Sequence, residues 1–265
     1  MLARILSGHV ALDSAQGAAA MIIALAVVLL ARRQGVRLER ESAIALVRSL
    51  VQILAVGAVL SLVLRASLGA GALMLVVMLL FAAAIAAGRV PGVPGAFSIA
   101  LTGIGAGSGA VIVAMVGLGI VRSDVADLVT VGSMILANAM NTSALALERL
   151  RAELDAHRGY VEAGLALGAS PAQAAAPYVQ RAVRASLIPR LDSLSSLGIV
   201  WIPGLMAGMV LARADPMGAA LLQFVTLALV LAASGLTSLV CVRLLRARAF
   251  TAADQLALAP PGTSA

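Results

Sequence analysis

The chain contains no lysine: all nineteen of its cationic side chains are arginine. The nucleotide-binding loop G-x-x-x-x-G-K-[ST] needs a lysine to reach the β and γ phosphates, so a conventional ATP site is excluded. Cysteine is nearly absent. The single thiol, Cys241, lies in an apolar run, which rules out a disulfide framework and a thiolate metal cluster. The two histidines, His9 and His157, stand far apart in the sequence and form no cluster with metal-ligand spacing. They also offer no Ser/His dyad for an intramembrane protease. Charge is scarce too: 12% of residues are charged against 62% hydrophobic, with a mean hydropathy of +1.05. No water-soluble domain has that composition.

What is present is a series of apolar runs, each near the roughly 20 residues that a spanning helix needs. They fall at 14–31, 42–64, 68–87, 96–121, 125–147, 191–212 and 216–242. The sequence therefore predicts an all-α polytopic integral membrane bundle of about seven helices. One transmembrane domain covers 1–250, and a disordered tail is expected over 251–265, which includes Pro260-Pro261-Gly262. The cluster Arg32, Arg33, Arg37 and Arg40 follows the first run instead of preceding it, so that run reads as a retained anchor and not a cleaved signal peptide.

The net charge of +7 reports topology and not a nucleic-acid partner, since the arginines flank apolar spans. With the N-terminus outside, fourteen arginines fall in the inner loops and C-tail. Four (Arg4, Arg65, Arg122 and Arg213) fall outside, and Arg48 lies within the second span. The positive-inside rule then places the N-terminus out and the C-terminus in. Arg48 and Gln52, one turn apart, fit snorkelling to the inner surface.

One connection is unlike the rest. Residues 148–190 form a long inner loop that carries arginines and helical patterning, and the fifth span should extend into it as a charged helix. Arg149 with Glu153 and Arg151 with Asp155 stand at i,i+4 spacing. Further on, the chain reads Glu162-Ala163-Gly164-Leu165-Ala166-Leu167-Gly168-Ala169-Ser170-Pro171-Ala172-Gln173. Gly168 suits a left-handed helix end. Ser170, Pro171 and Gln173 make an N-cap, a proline at the first helical position and a capping box. Two short helices should meet there at a compact corner able to enter a groove on another protein. An ordinary helix–turn–helix corner would carry the same capping signature.

At these residues the chain resembles the coupling loop of ABC permeases, the EAA-type segment that docks on an ATPase subunit. The importer pattern differs in its distal half, because here Leu187-Ile188-Pro189 comes about twenty residues after Gly168. A wider set of motifs resembles the FetB-type permeases. These are Gly132-Ser133-Met134-Ile135 with Asn138-Ala139-Met140, Leu167-Gly168-Ala169-Ser170-Pro171, Arg184-Ala185 with Leu187-Ile188-Pro189 and Asp192-Ser193, and Pro203-Gly204 with Met206 and Gly208, closed by Asp215-Pro216. That family includes bacterial iron-export and plant aluminium-tolerance permeases. The resemblance implies a permease subunit, not an enzyme, exporting iron or a related metal or small solute. It also implies a separate cytoplasmic ATPase that binds ATP and Mg, a homodimer in the inner membrane, and no cofactor in this chain. The rival readings are an importer permease for a small solute and a non-transporting intramembrane protein. The coupling residues would be Glu162, Gly168, Ala169, Ser170 and Pro171.

Polar groups in hydrocarbon face a cavity or a neighbouring helix. Met134, Asn138 and Asn141 share one stripe of the fifth span, which predicts a pathway lining or, alternatively, interhelical hydrogen bonds of ~0.6 kcal/mol each. Pro203-Gly204 should kink or break the sixth span, with Met206 and Met209 beyond the break as lining or packing residues. Thioethers are poor ligands for hard metals, and the sequence assigns no metal ligand. Asp192 is expected at the inner interface, as a helix-start residue favoured by the dipole. Gly103, Gly105, Gly107 and Gly109 fit tight helix packing better than a phosphate loop.

Overall fold

The computed structural model describes residues 17, 19, 21–26, 28, 39–63, 67–93, 95–120, 124–251 and 253–257, and no strand occurs among them. The chain falls into two units, Met1–Arg65 and Ala66–Ala265. In the first, α1 (Glu39–Val63) is a 25-residue helix that carries Arg48 and Gln52 in an otherwise largely apolar sequence. Of the first expected span, 14–31, residues 17, 19, 21–26 and 28 are described and helical, and the others lie outside the described residues.

The second unit holds α2 (Leu68–Gly88), α3 (Ala96–Gly117), α4 (Val125–Ala156), α5 (Arg158–Ala166), α6 (Pro171–Ser195), α7 (Gly204–Leu211) and α8 (Pro216–Ala249). Among the described residues, five helices have the length and apolarity to cross a bilayer: α1, α2, α3, α4 and α8. Aspartates start two of them. Asp124 accepts from the Asp127 amide and Asp215 from the Gly218 amide, each at 2.7 Å, and each satisfies a helix-start donor that has no partner within its own helix.

α4 and α8 run through the middle of this unit and build two cores with their neighbours. In one core Leu75, Ala83, Ile104, Ile135 and Ala139 pack with Val230 and Ala233. In the other, Ile99, Leu147, Leu150 and Leu154 pack with Tyr178, Ala182, Val242 and Leu245. Arginines gather at the second core, so it marks the arginine-rich end of the bundle. The glycine row of α3 serves packing, as its small residues suggest. Gly103 lies against Cys241, and a Cβ on Gly107 would stand 2.6 Å from the Thr237 nitrogen and 2.8 Å from the Ala233 carbonyl. Two backbones can approach that closely only where a side chain is missing.

Three expected boundaries move. The run 191–212 is not one helix: 191–195 close α6, residues 196–203 are irregular, and 204–211 form α7. The break therefore begins before Pro203, which caps α7 with φ −66° and ψ 150°. α3 stops at Gly117, short of the expected 121. The start of the expected tail is ordered: the Ala257 amide donates to the Ala249 carbonyl at 2.7 Å and the Thr251 amide to that of Gln255 at 2.8 Å. Residues 258–265 lie outside the described residues.

Candidate functional site

The elbow is built by short-range chemistry. α5 ends in a Schellman arrangement: the Ala169 amide donates to the Gly164 carbonyl at 3.0 Å and the Gly168 amide to that of Leu165 at 2.9 Å. Gly168 takes φ +89°, a left-handed value at which any Cβ is penalised. Two residues on, the Gln173 amide donates to Ser170 Oγ at 3.3 Å, and the Ser170 amide donates to Gln173 Oε1 at 2.9 Å. Pro171 occupies the first turn of the new helix. Each element stops and starts where the sequence indicated.

Beneath the elbow the fit is tight. Leu150, Leu154 and Val161 are fully buried together with Ala175. The His157 ring, at the joint between α4 and α5, stacks on Tyr178 at 4.9 Å. Arg151 pairs with Asp155 at 3.6 Å as its spacing suggests. Glu153, however, reaches Arg181 of α6 at 3.2 Å, because the packing of α6 brings a second guanidinium within range. Glu162 is exposed, 3.8 Å from Arg158. Two residues that sequence reasoning passed over project from this end: Tyr160 is 78% and Leu167 89% exposed. The available signal was a large apolar side chain beside a turn, where polar residues are the rule.

From the elbow α6 continues without interruption into the bundle. Tyr178 and Ala182 share a core with Val242 and Leu245. One turn on, Ser186 Oγ lies 2.8 Å from Ser238 Oγ. The two helices thus run antiparallel, and a further turn brings Arg190 level with Ser234, near the middle of α8. Asp192 follows in the last turn of α6 and is exposed.

α4 runs parallel to α8, with Ser143 Oγ 3.3 Å from Cys241 Sγ. In that register Asn138 lies level with a point between Ser234 and Thr237 of α8. Its Nδ2 donates to the Met134 carbonyl at 2.7 Å, and it is half-buried. Asn141 is exposed on the same helix, as are Thr130 and Ala137. Met209 lies elsewhere. With Leu205, Leu222, Asp127, Thr130, Val131 and Ile120 it lines an open cavity of ≈ 550 Å³ toward the far end. The amides and the methionine thus occupy different levels of the bundle, and Met206 is not in the cavity wall. Several buried polar atoms at mid-depth have no protein partner: the hydroxyls of Ser108, Ser234 and Thr237 and the Nε of Arg190. No group of three or more His, Cys, Asp or Glu that could hold a metal occurs among the described residues.

The chain matches the model of the uncharacterised protein family UPF0014 over residues 14–250. It is 32% identical over 240 residues to the UPF0014 membrane protein STAR2 of Oryza sativa subsp. japonica, covering 90% of this chain and 84% of that one. Protein ALUMINUM SENSITIVE 3 of Arabidopsis thaliana is 30% identical over 90% of this chain and 88% of its own. The probable iron export permease protein FetB of Escherichia coli is 26% identical over 90% of this chain and 93% of its own. No solved structure matches.

Proposed function

The chain belongs to the UPF0014 family of multi-pass membrane proteins, and from that membership we propose that it is the membrane permease of an ABC-type exporter. A separate ATPase subunit drives it, and iron or a related metal or small solute is its cargo. Its relative named as an iron export permease supports both the direction and the metal. ATP and Mg belong to the partner, since this chain lacks the lysine of a phosphate loop.

The observation that carries the reading is the continuity of α6. The helix starts at an exposed, rigidly capped elbow among the arginines and ends beyond mid-bundle at Ser195. With the arginine-rich end in the cytoplasm, Glu162, Gly168, Ala169, Ser170 and Pro171 stand where an ATPase docks, with Tyr160 and Leu167 as apolar anchors. Closure of the ATPases on ATP shifts the elbow. Because α6 is one rod locked to α4 by Tyr178, His157 and Glu153, that shift reaches Arg190, Asp192 and the irregular segment after Ser195. Alternating access follows where nucleotide favours one of the two positions of the rod.

Two copies complete the transporter in the inner membrane. α4 turns Thr130 and Asn141 outward, and exposed amides and hydroxyls on a spanning helix need a polar partner or water instead of lipid. The pathway lining on this reading is Asn138, Asn141, Met206 and Met209, with the break at Pro203 and Gly204 giving the discontinuity common beside transport sites.

The test is Gly168→Leu in the full chain co-expressed with its ATPase. Membrane insertion should persist, while co-purification of the ATPase and transport-stimulated ATP hydrolysis fall at least tenfold. Normal co-purification with full stimulated hydrolysis would make the elbow an ordinary surface turn.

A further inference from the structure

An arginine at the middle of a spanning bundle calls for an anionic partner, because a guanidinium withdrawn from water keeps its charge and its donors must find acceptors. Arg190 is half-buried at that level, with its Nε withdrawn from water. It stands one turn beyond the Ser186–Ser238 contact, level with the midpoint of α8. Its Nε is buried without a partner, and no ion pair to it occurs among the described residues. Asp192 does not serve, since residues two apart on a helix point to different sides, and it is exposed.

The polar groups at the same depth add to the argument. Ser108, Ser234 and Thr237 place hydroxyls there that lack partners. The layer combines one fixed positive charge with neutral hydrogen-bonding groups. No carboxylate cluster fit to strip and hold a bare metal cation occurs among the described residues.

We propose that Arg190 is the anion-binding residue of the translocation pathway, so that the solute crosses as a carboxylate- or phosphate-bearing anion, including an anionic complex in which such oxygens hold the metal. This deepens the exporter reading and rests on it for the direction of movement. It also places the charge that meets the solute on the same helix that receives the elbow's movement.

Binding to the permease alone tests the proposal without the ATPase. The full chain is placed in neutral phosphatidylcholine nanodiscs, and equilibrium binding is measured for ferric citrate, citrate, inorganic phosphate and aqueous ferrous ion. At least one of the three anionic probes should bind more tightly than the aqueous cation, with an affinity that falls as salt rises. Arg190→Gln should weaken that binding at least tenfold and flatten its salt dependence. Arg190→Lys, which keeps the charge but not the fork of donors, should weaken it less. Citrate and ferric citrate together distinguish a free anion from a metal-bearing one, and phosphate tests the alternative oxyanion.

The double variant Arg190→Gln/Asp192→Asn covers the competing arrangement, an ion pair between Arg190 of one copy and Asp192 of the other. Size exclusion and helical circular dichroism verify that each variant is folded, and if Arg190→Gln is not, Arg190→Lys carries the comparison. Failure of every anion to bind the native chain would overturn the proposal. So would binding unchanged in Arg190→Gln or, where that variant is unfolded, in Arg190→Lys. Recovery in the double variant would assign Arg190 to an ion pair and overturn it too. Loss of ATPase co-purification with Gly168→Leu is read separately, so a failed exporter reading and a failed anion site give different results.

Discussion

The two ends of α6 are made differently. At Ser170 and Pro171 the amides of Gly168, Ala169, Ser170 and Gln173 all have partners, and buried leucines and a stacked His157–Tyr178 pair fix the helix from beneath. At Ser195 the helix gives way to an irregular segment in which Gly198 takes φ +76° and Ile199 and Val200 are 85% and 84% exposed. One end is buttressed from beneath by buried side chains, whereas the other is held by its own backbone hydrogen bonds from Ser196 to Trp201 and leaves large apolar side chains exposed. On the exporter reading, force enters at the buttressed corner and displacement emerges at the end that no buried side chain holds.

The largest effect should come from unseating the clamped end. Leu154→Ala deletes a fully buried side chain beneath the elbow and is expected to cost about 2–5 kcal/mol, read as a lower midpoint in thermal unfolding of the detergent-solubilised protein. Loss of ATPase co-purification should accompany it. A smaller effect is expected from Ser170→Ala, which removes the capping hydroxyl and costs about 1 kcal/mol, again measured by thermal unfolding. The exposed far end should respond least. Ile199→Ser touches no buried group and is expected to stay within about 0.5 kcal/mol of the native stability, while changing transport rate. If Ile199→Ser destabilised as much as Leu154→Ala, the contrast between the ends would be lost.

The same contrast explains what the sequence made legible. The elbow could be read residue by residue because capping acts over three or four positions: Gly168, Ser170, Pro171 and Gln173 need only one another. The charged extension of α4 was legible for the same local reason. α6 itself was misplaced by about twenty residues, since Arg181, Arg184, Arg190 and Asp192 lower its mean hydropathy below that of a spanning helix. Its buried face is narrow and made largely of small residues, Ala175, Tyr178, Ala182 and Ser186. That three-to-four spacing was the signal to follow, and averaging over a window erases it. The pairing of Glu153 with Arg181 was out of reach, because it depends on how two helices distant in sequence pack.

The claim that α6 carries movement from the elbow to mid-membrane is tested most directly by thiol accessibility at its far end. In a Cys241→Ser background, Leu191→Cys is labelled in proteoliposomes containing the ATPase, with and without ATP plus vanadate. The account predicts that trapping the nucleotide state changes the labelling rate severalfold and that Gly168→Leu removes the change. A rate indifferent to nucleotide, or one that responds equally in Gly168→Leu, would contradict it.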